Sequence, residues 1–354
     1  MNALSDRLRE RIAREGPISF AEFMEAALYD PASGYYTRGA AIGEGGDFVT
    51  SPSVTGAFAA ALARLFALEA RELEGPVDFV EIGAGGGQFL EGFARCLQLE
   101  DSALAERVRL TAVEVSAAGR AAIAERRIEP APRILESVET LPEASVNGWI
   151  FANELYDALP VARVMGSPAG LQELRVGLEG ERFAWVAVPA AAALRSHLEV
   201  LGILLEPGQK AEIALGAAAL HRRLGRTLSR GWLVAFDYGH PARILYHPFA
   251  RPEGTLSVHA GGRRGGDPLE DPGAHDLTAH VNWDVLLAAG EAEGLRTDRL
   301  VRQGLFLTEA GIFDFAGSDA EKWRIFRLVD PGGMGEEISV LVQTKGVTTG
   351  SATL

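Results

Sequence analysis

From residue 77 onward the chain alternates short β-branched or apolar runs with stretches of helical length. This rhythm calls for a parallel sheet flanked by helices. Val77 to Gly83, Arg109 to Ser116, Arg133 to Leu135, Trp149 to Asn153 and Trp232 to Tyr238 read as five successive strands. A sixth falls near Thr297 to Arg302 and a seventh over Ile338 to Thr344. Such a sheet is buried on both faces and needs a large apolar supply; 47% of the 354 residues are hydrophobic, which meets that need.

The residues before the sheet look helical. Leu4, Leu8 and Ile12 form one apolar stripe, and Ser19 with Glu22 makes a capping box for a second helix. Asp30-Pro31 closes that helix, and a glycine-rich aromatic loop covers residues 34–53. Ser51-Pro52 then supplies the cap and first position of a third helix running to about Leu73. Two stretches break the strand–helix rhythm. Residues 160–230 carry three strand-like runs and a helix expected from about Lys210 to Ser229. Residues 240–280 are rich in Gly, Pro, His and Arg with weak periodicity. Both read as insertions forming a substrate cover. The expected organisation is a helical segment over 1–75 that completes a cofactor site, a core over 76–346, and a tail over 347–354.

Several classes are excluded or disfavoured. The net charge of -14 lacks the basic footprint of a nucleic-acid binder. No apolar run approaches the ~18 residues that span a bilayer. The first fifteen residues carry mixed charge without the apolar centre of a signal peptide, so the expected location is cytoplasmic. One cysteine, Cys96, permits no intramolecular disulfide and no thiol-rich metal site, and its apolar setting reads as core. His259, His275 and His280 are spaced unlike any short zinc pattern, so no metal is expected.

The chemistry concentrates at strand ends. In 79-FVEIGAGGGQF-89 a strand runs into Gly83, Gly85 and Gly87 before a helix. Glycines at such a turn allow a tight bend and close approach of a ligand to the backbone. A dinucleotide fingerprint would place its third glycine at position 88, which is Gln. The alternate glycines preceded by Glu81 suit S-adenosylmethionine (SAM) better, because the acid can meet the ammonium of its methionine half. A dinucleotide and a purely structural turn stay open at this point. Glu114, at the end of the second strand, can accept both hydroxyls of a ribose, which supports a nucleoside without choosing the cofactor. The fourth strand delivers 153-NELYDALP-160, with Asn153, Glu154 and Asp157 leaving an apolar strand where open α/β sheets bind ligands. Paired acids there would orient a polar or cationic nucleophile. Helix capping, with Asn153 as the cap, is the alternative.

Taken together with 18-ISFAEFMEAALYDPASGYYTR-38, 46-GDFVTSPSVTGAF-58, 236-FDYGHP-241, 253-EGTLSVHA-260, 276-DLTAHVNW-283 and 328-LVDPGGMGEE-337, these motifs make the chain resemble the MidA-like SAM-dependent methyltransferases over about residues 18–346. The resemblance implies an α/β fold: a class I, seven-stranded, Rossmann-like methyltransferase core with an N-terminal helical extension and two insertions. It implies that Gly46, Asp47, Phe48 and Thr50 lie beside the cofactor. It makes Glu154 and Asp157 the candidate arginine-holding acids, with Asp237 and Tyr238 on the same rim. Mitochondrial members assist assembly of respiratory complex I and methylate an arginine of one of its subunits, which implies a protein substrate. One departure concerns the substrate: where the family often has His-Tyr-Arg-His, this chain reads His259-Ala260-Gly261-Gly262. Two other functions are carried alongside. One is methylation of a small molecule, with Phe183, Trp185 and Trp283 lining its pocket. The other is a non-catalytic, SAM-binding assembly factor. Oligomeric state is not legible.

Overall fold

The computed structural model describes residues 3–38, 50–260 and 263–347. In chain order its strands are β1 (Val77–Ile82), β2 (Val108–Val113), β3 (Arg133–Leu135), β4 (Val146–Asn153), β5 (Ala162–Met165), β6 (Gln172–Glu179), β7 (Arg182–Pro189), β8 (Lys210–Ile213), β9 (Leu228–His240), β10 (Ser257–Ala260), β11 (Arg263–Arg264), β12 (Asp276–Thr278), β13 (Val281–Asn282), β14 (Arg296–Arg302) and β15 (Ile338–Lys345). The chain divides into two compact units. One comprises Ala41–Leu155, Leu220–Tyr238 and Leu286–Leu354; the other comprises Met1–Ala40, Tyr156–Ala219 and Gly239–Val285.

The first unit is built on seven strands in the order β14-β15-β9-β4-β1-β2-β3. Neighbours run parallel from β9 to β3, and β15 is antiparallel to both β9 and β14. All six residues of β1 are buried, as expected for a central strand covered on both faces. The cover is aromatic. Phe79 of β1 stacks on Phe93 of the helix Gln88–Glu100, with centroids 3.9 Å apart. Phe66 of the helix Gly56–Glu69 meets Phe79, Phe93 and Trp149 edge-on. Full burial of each such ring contributes about 1.5–3 kcal/mol, so these contacts fix both helices on the sheet. Cys96 packs partly buried against this core, and burial raises its thiol pKa.

In the second unit β7-β6-β5-β8 form an antiparallel sheet and β11-β10-β12 a smaller one. The helix Phe20–Tyr29 opens with the expected capping box: Ser19 Oγ accepts from Glu22 N, and the Glu22 carboxylate accepts from Ser19 N. Phe20 packs on Trp185 and Phe23 on Phe183.

Three expectations change. The stretch from Lys210 begins as a strand, because Lys210–Ile213 pairs with β5, and the helix covers only Leu215–Thr227. The third helix is cut in two: Ser51–Val54 follows Thr50, and a new cap at Thr55, whose Oγ1 accepts from Ala57 N, starts Gly56–Glu69. The weakly periodic 240–280 region contributes three short strands to the small sheet. No helix among the described residues is long and apolar enough to cross a membrane.

Candidate active site

Strand order reverses between β1 and β4: from β1 the chain goes outward to β2 and β3, then returns to β4 on the other side. Open α/β sheets bind ligands in the crevice at the carboxyl ends of such neighbours. Here those ends are Glu81–Ile82 and Ala152–Asn153, with Ile82 paired to Ala152.

The turn after β1 explains the spacing of its glycines. Gly83, Gly85 and Gly87 have φ of +74°, +54° and +77°, a region that L side chains rarely adopt. A Cβ on Gly83 would also lie 2.9 Å from Leu155 Cδ1. Gly83 N donates to Val113 O at 2.8 Å, and Gly87 caps the helix Gln88–Glu100 from its left-handed conformation.

Two carboxylates flank this turn. Glu114 Oε2 accepts from Gly85 N at 2.8 Å, and its Oε1 accepts from Ser116 N at 2.7 Å. Burial raises the Glu114 pKa, and those two N–H donors oppose the rise. Each oxygen keeps a further lone pair for a ribose hydroxyl. Glu81 is 5% exposed, and its Oε2 is buried without a hydrogen-bond partner. Burial first, then the nearby Glu114 charge, pushes its pKa well above the carboxylate range. On the neighbouring strand Asn153 Oδ1 is likewise buried and unpartnered. Buried acceptors left in this state are destabilising unless a donor arrives. Two of them beside a glycine turn fit the ammonium end of SAM.

After Asn153 no helix follows, so the capping alternative for Asn153, Glu154 and Asp157 falls. Instead Glu154 takes φ +49°, unusual for a residue with a side chain. Its N donates to Phe236 O at 2.8 Å. Its Oε1 accepts from both Ser51 N and Asn153 Nδ2, each at 3.0 Å. Asp237, fully buried on β9, supports the same turn: its Oδ2 accepts from Leu155 N at 3.1 Å and its Oδ1 from Tyr238 N at 2.8 Å.

Glu81, Gly83, Gly85, Gly87, Glu114, Asn153, Glu154 and Asp237 thus all belong to the first unit, at the strand ends. Thr50 belongs to it too, where its N donates to Ser53 Oγ at 3.0 Å. Asp157 lies in the second unit, 7% exposed, with its backbone O accepting from Ala279 N. Gly46, Asp47 and Phe48 fall outside the described residues. Sequence reasoning missed Ser51 and Gln303. Both are fully buried, and a lone glutamine opening a helix carries no local signal. His259 Nε2 bonds Thr278 Oγ1 at 3.2 Å, and burial drives the pKa of His280 down to about 3. Among the described residues no group of three or more His, Cys, Asp or Glu could hold a metal ion.

A family model described as putative S-adenosyl-L-methionine-dependent methyltransferase matches residues 61–301. The chain belongs to this family. It resembles the MidA-like group as the motifs implied, and S-adenosylmethionine is the methyl donor. A Burkholderia thailandensis structure described as a likely methyl transferase, bound to S-adenosyl-homocysteine, is 31% identical with a TM-score of 0.87, covering 98% of this chain and 92% of that one. The mouse mitochondrial protein arginine methyltransferase NDUFAF7 is 28% identical over 93% of this chain and 81% of its own. Its Drosophila melanogaster homolog is 27% identical over 98% of this chain and 85% of its own.

Proposed function

We propose that this methyltransferase acts on the guanidinium of an arginine in a protein substrate, a subunit of respiratory complex I or a protein like it. The observation that carries the reading is Glu154. A strained backbone at φ +49° and two donors on one oxygen hold a carboxylate in fixed orientation beside the cofactor strands. Strain of this kind stands at functional sites, where the surrounding structure maintains it. Arginine methyltransferases among the relatives agree with it.

When bound, SAM supplies an electrophilic methyl group that leaves its sulfonium by in-line displacement. Glu81 and Asn153 receive the ammonium of the donor, and Glu114 receives its ribose hydroxyls. The backbone of Gly83, Gly85 and Gly87 leaves room for the donor to approach, and Gly46, Asp47, Phe48 and Thr50 are assigned to the same site on the resemblance. Glu154 grips the guanidinium, which is planar and stays protonated near neutrality. Asp157 is assigned as the second acid on the resemblance. As the N–C bond forms, the attacking nitrogen gives up one proton, which Glu154 accepts, and the product guanidinium keeps its single positive charge.

The small-molecule alternative has less support. Phe183 and Trp185 are engaged with Phe23 and Phe20, and Trp283 is fully buried. Incubation with labelled SAM and lysate of cells lacking this protein tests the reading. Label on a protein band, released as methylarginine on hydrolysis, is the expected result. Label in small molecules, or SAM binding without transfer, would overturn it in favour of one of the other two functions.

A further inference from the structure

We infer that Ser51 and Gln303 form a buried relay that positions the Glu154 carboxylate; the inference rests on Glu154 being the substrate-gripping acid. The connections run through four segments of the first unit. Gln303 opens the helix Gln303–Glu309 directly after β14 and is fully buried. Its Nε2 donates to Leu328 O at 3.0 Å. That bond fixes the side-chain amide, because a backbone carbonyl can only accept. Gln303 Oε1 therefore faces Ser51, whose hydroxyl donates to it at 2.8 Å. Ser51, also fully buried, in turn donates its backbone N–H to Glu154 Oε1 at 3.0 Å. Each link along this path joins a donor to an acceptor, so each has one direction.

The arrangement answers a local problem. Ser51 is the first residue of a four-residue helix, and the first N–H groups of any helix lack partners within it. Glu154 supplies the partner, but a helix this short cannot hold its own place. The Gln303 amide anchors Ser51 to the helix Asp319–Val329 through Leu328 O, and that helix packs into the main core through Ile325 and Leu328. The direction in which Ser51 N–H points is thereby set by residues some 250 positions away in sequence. Without Gln303, Ser51 loses its fixed place, and with it the direction of the N–H that it donates to Glu154 Oε1. Ser51 and Gln303 are positioning residues: both act through Glu154.

The test compares Ser51→Ala, Gln303→Met and the double variant with the full-length protein. Label transfer from saturating SAM to lysate protein gives the rate, and calorimetry gives SAM affinity. The expected result is a rate about tenfold lower in each single variant with SAM affinity unchanged, and a double variant no slower than the singles, because both substitutions break one path. A merely structural role would shift SAM affinity or melting temperature without a selective loss of rate. Wild-type rates in both single variants, while Glu154→Gln is slow, would overturn the relay and leave the Glu154 reading standing. A Glu154→Gln variant as fast as wild type would overturn that reading, and the relay with it.

Discussion

Binding of the methyl donor is expected to release a proton from Glu81. Without the donor, this carboxyl is 5% exposed, has an unpartnered Oε2, and has a pKa well above the usual range because burial and the Glu114 charge both disfavour ionisation. Pairing with the ammonium of the donor requires the charged form. The bound state thus holds one proton fewer, and affinity must rise with pH until Glu81 ionises unaided. The limit is about tenfold per pH unit, since one pKa unit corresponds to ~1.4 kcal/mol. The amine of the donor sets an upper bound, because an α-amino group loses its own proton near ~8. The rise with pH therefore belongs to the range below about pH 8, where the amine is still charged. Glu81→Gln removes the titrating group and a charge-assisted bond worth roughly 1.5–3 kcal/mol, part of which the wild type spends on ionisation. SAM affinity should fall roughly tenfold or more at pH 7.5, and its pH dependence should flatten. Calorimetry in two buffers of different ionisation enthalpy reads proton release directly. The glutamine substitution should meanwhile stabilise the free protein near neutral pH, because a carboxyl with a raised folded pKa costs the wild type stability as pH climbs above its unfolded value. The reasoning is refuted if wild-type binding releases no proton in this range, or if the glutamine variant releases as many.

Three further outcomes follow from the same geometry. Glu154→Gln should keep SAM affinity by calorimetry and lose at least tenfold in the rate of label transfer, because the uncharged amide no longer pairs with a guanidinium or takes its proton. Gly85→Val should abolish measurable SAM binding, since a branched side chain at φ +54° strains the turn and fills the approach to it; normal affinity would remove the loop from the site. Glu69, whose Oε2 accepts from Trp149 Nε1 at 2.8 Å, has its pKa raised to about 8, chiefly by burial. It favours the fold below about pH 4.5, and that contribution is lost as pH rises to about 8. Glu69→Gln should flatten this decline and stabilise the protein at pH 8 by roughly 2 kcal/mol, the full linkage being reduced by its partial exposure to water. Melting curves at pH 5 and pH 8 check it.

The core was legible in the sequence because its signals are local. A buried parallel strand must be apolar along its whole length, and a strand-to-helix turn with left-handed residues favours glycine, so β1 with Gly83, Gly85 and Gly87 announced both the sheet and the tight turn at its end. Glu81 and Glu114 stood out as buried strand-end acids for the same reason: an acid that ends an apolar strand contrasts with it. Pairing partners are not local. Lys210–Ile213 has helix-compatible residues, and only β5 lying beside it makes it a strand. Asn153-Glu154 is compatible with a helix cap on spacing alone. Only the hydrogen bonds to Phe236 O, Asp237 and Ser51 turn the chain away from a helix and force Glu154 to positive φ. Gln303 carried no signal, since a glutamine at a helix start reads as surface. Its burial, and its place between Leu328 and Ser51, exist only once segments 250 residues apart have packed together.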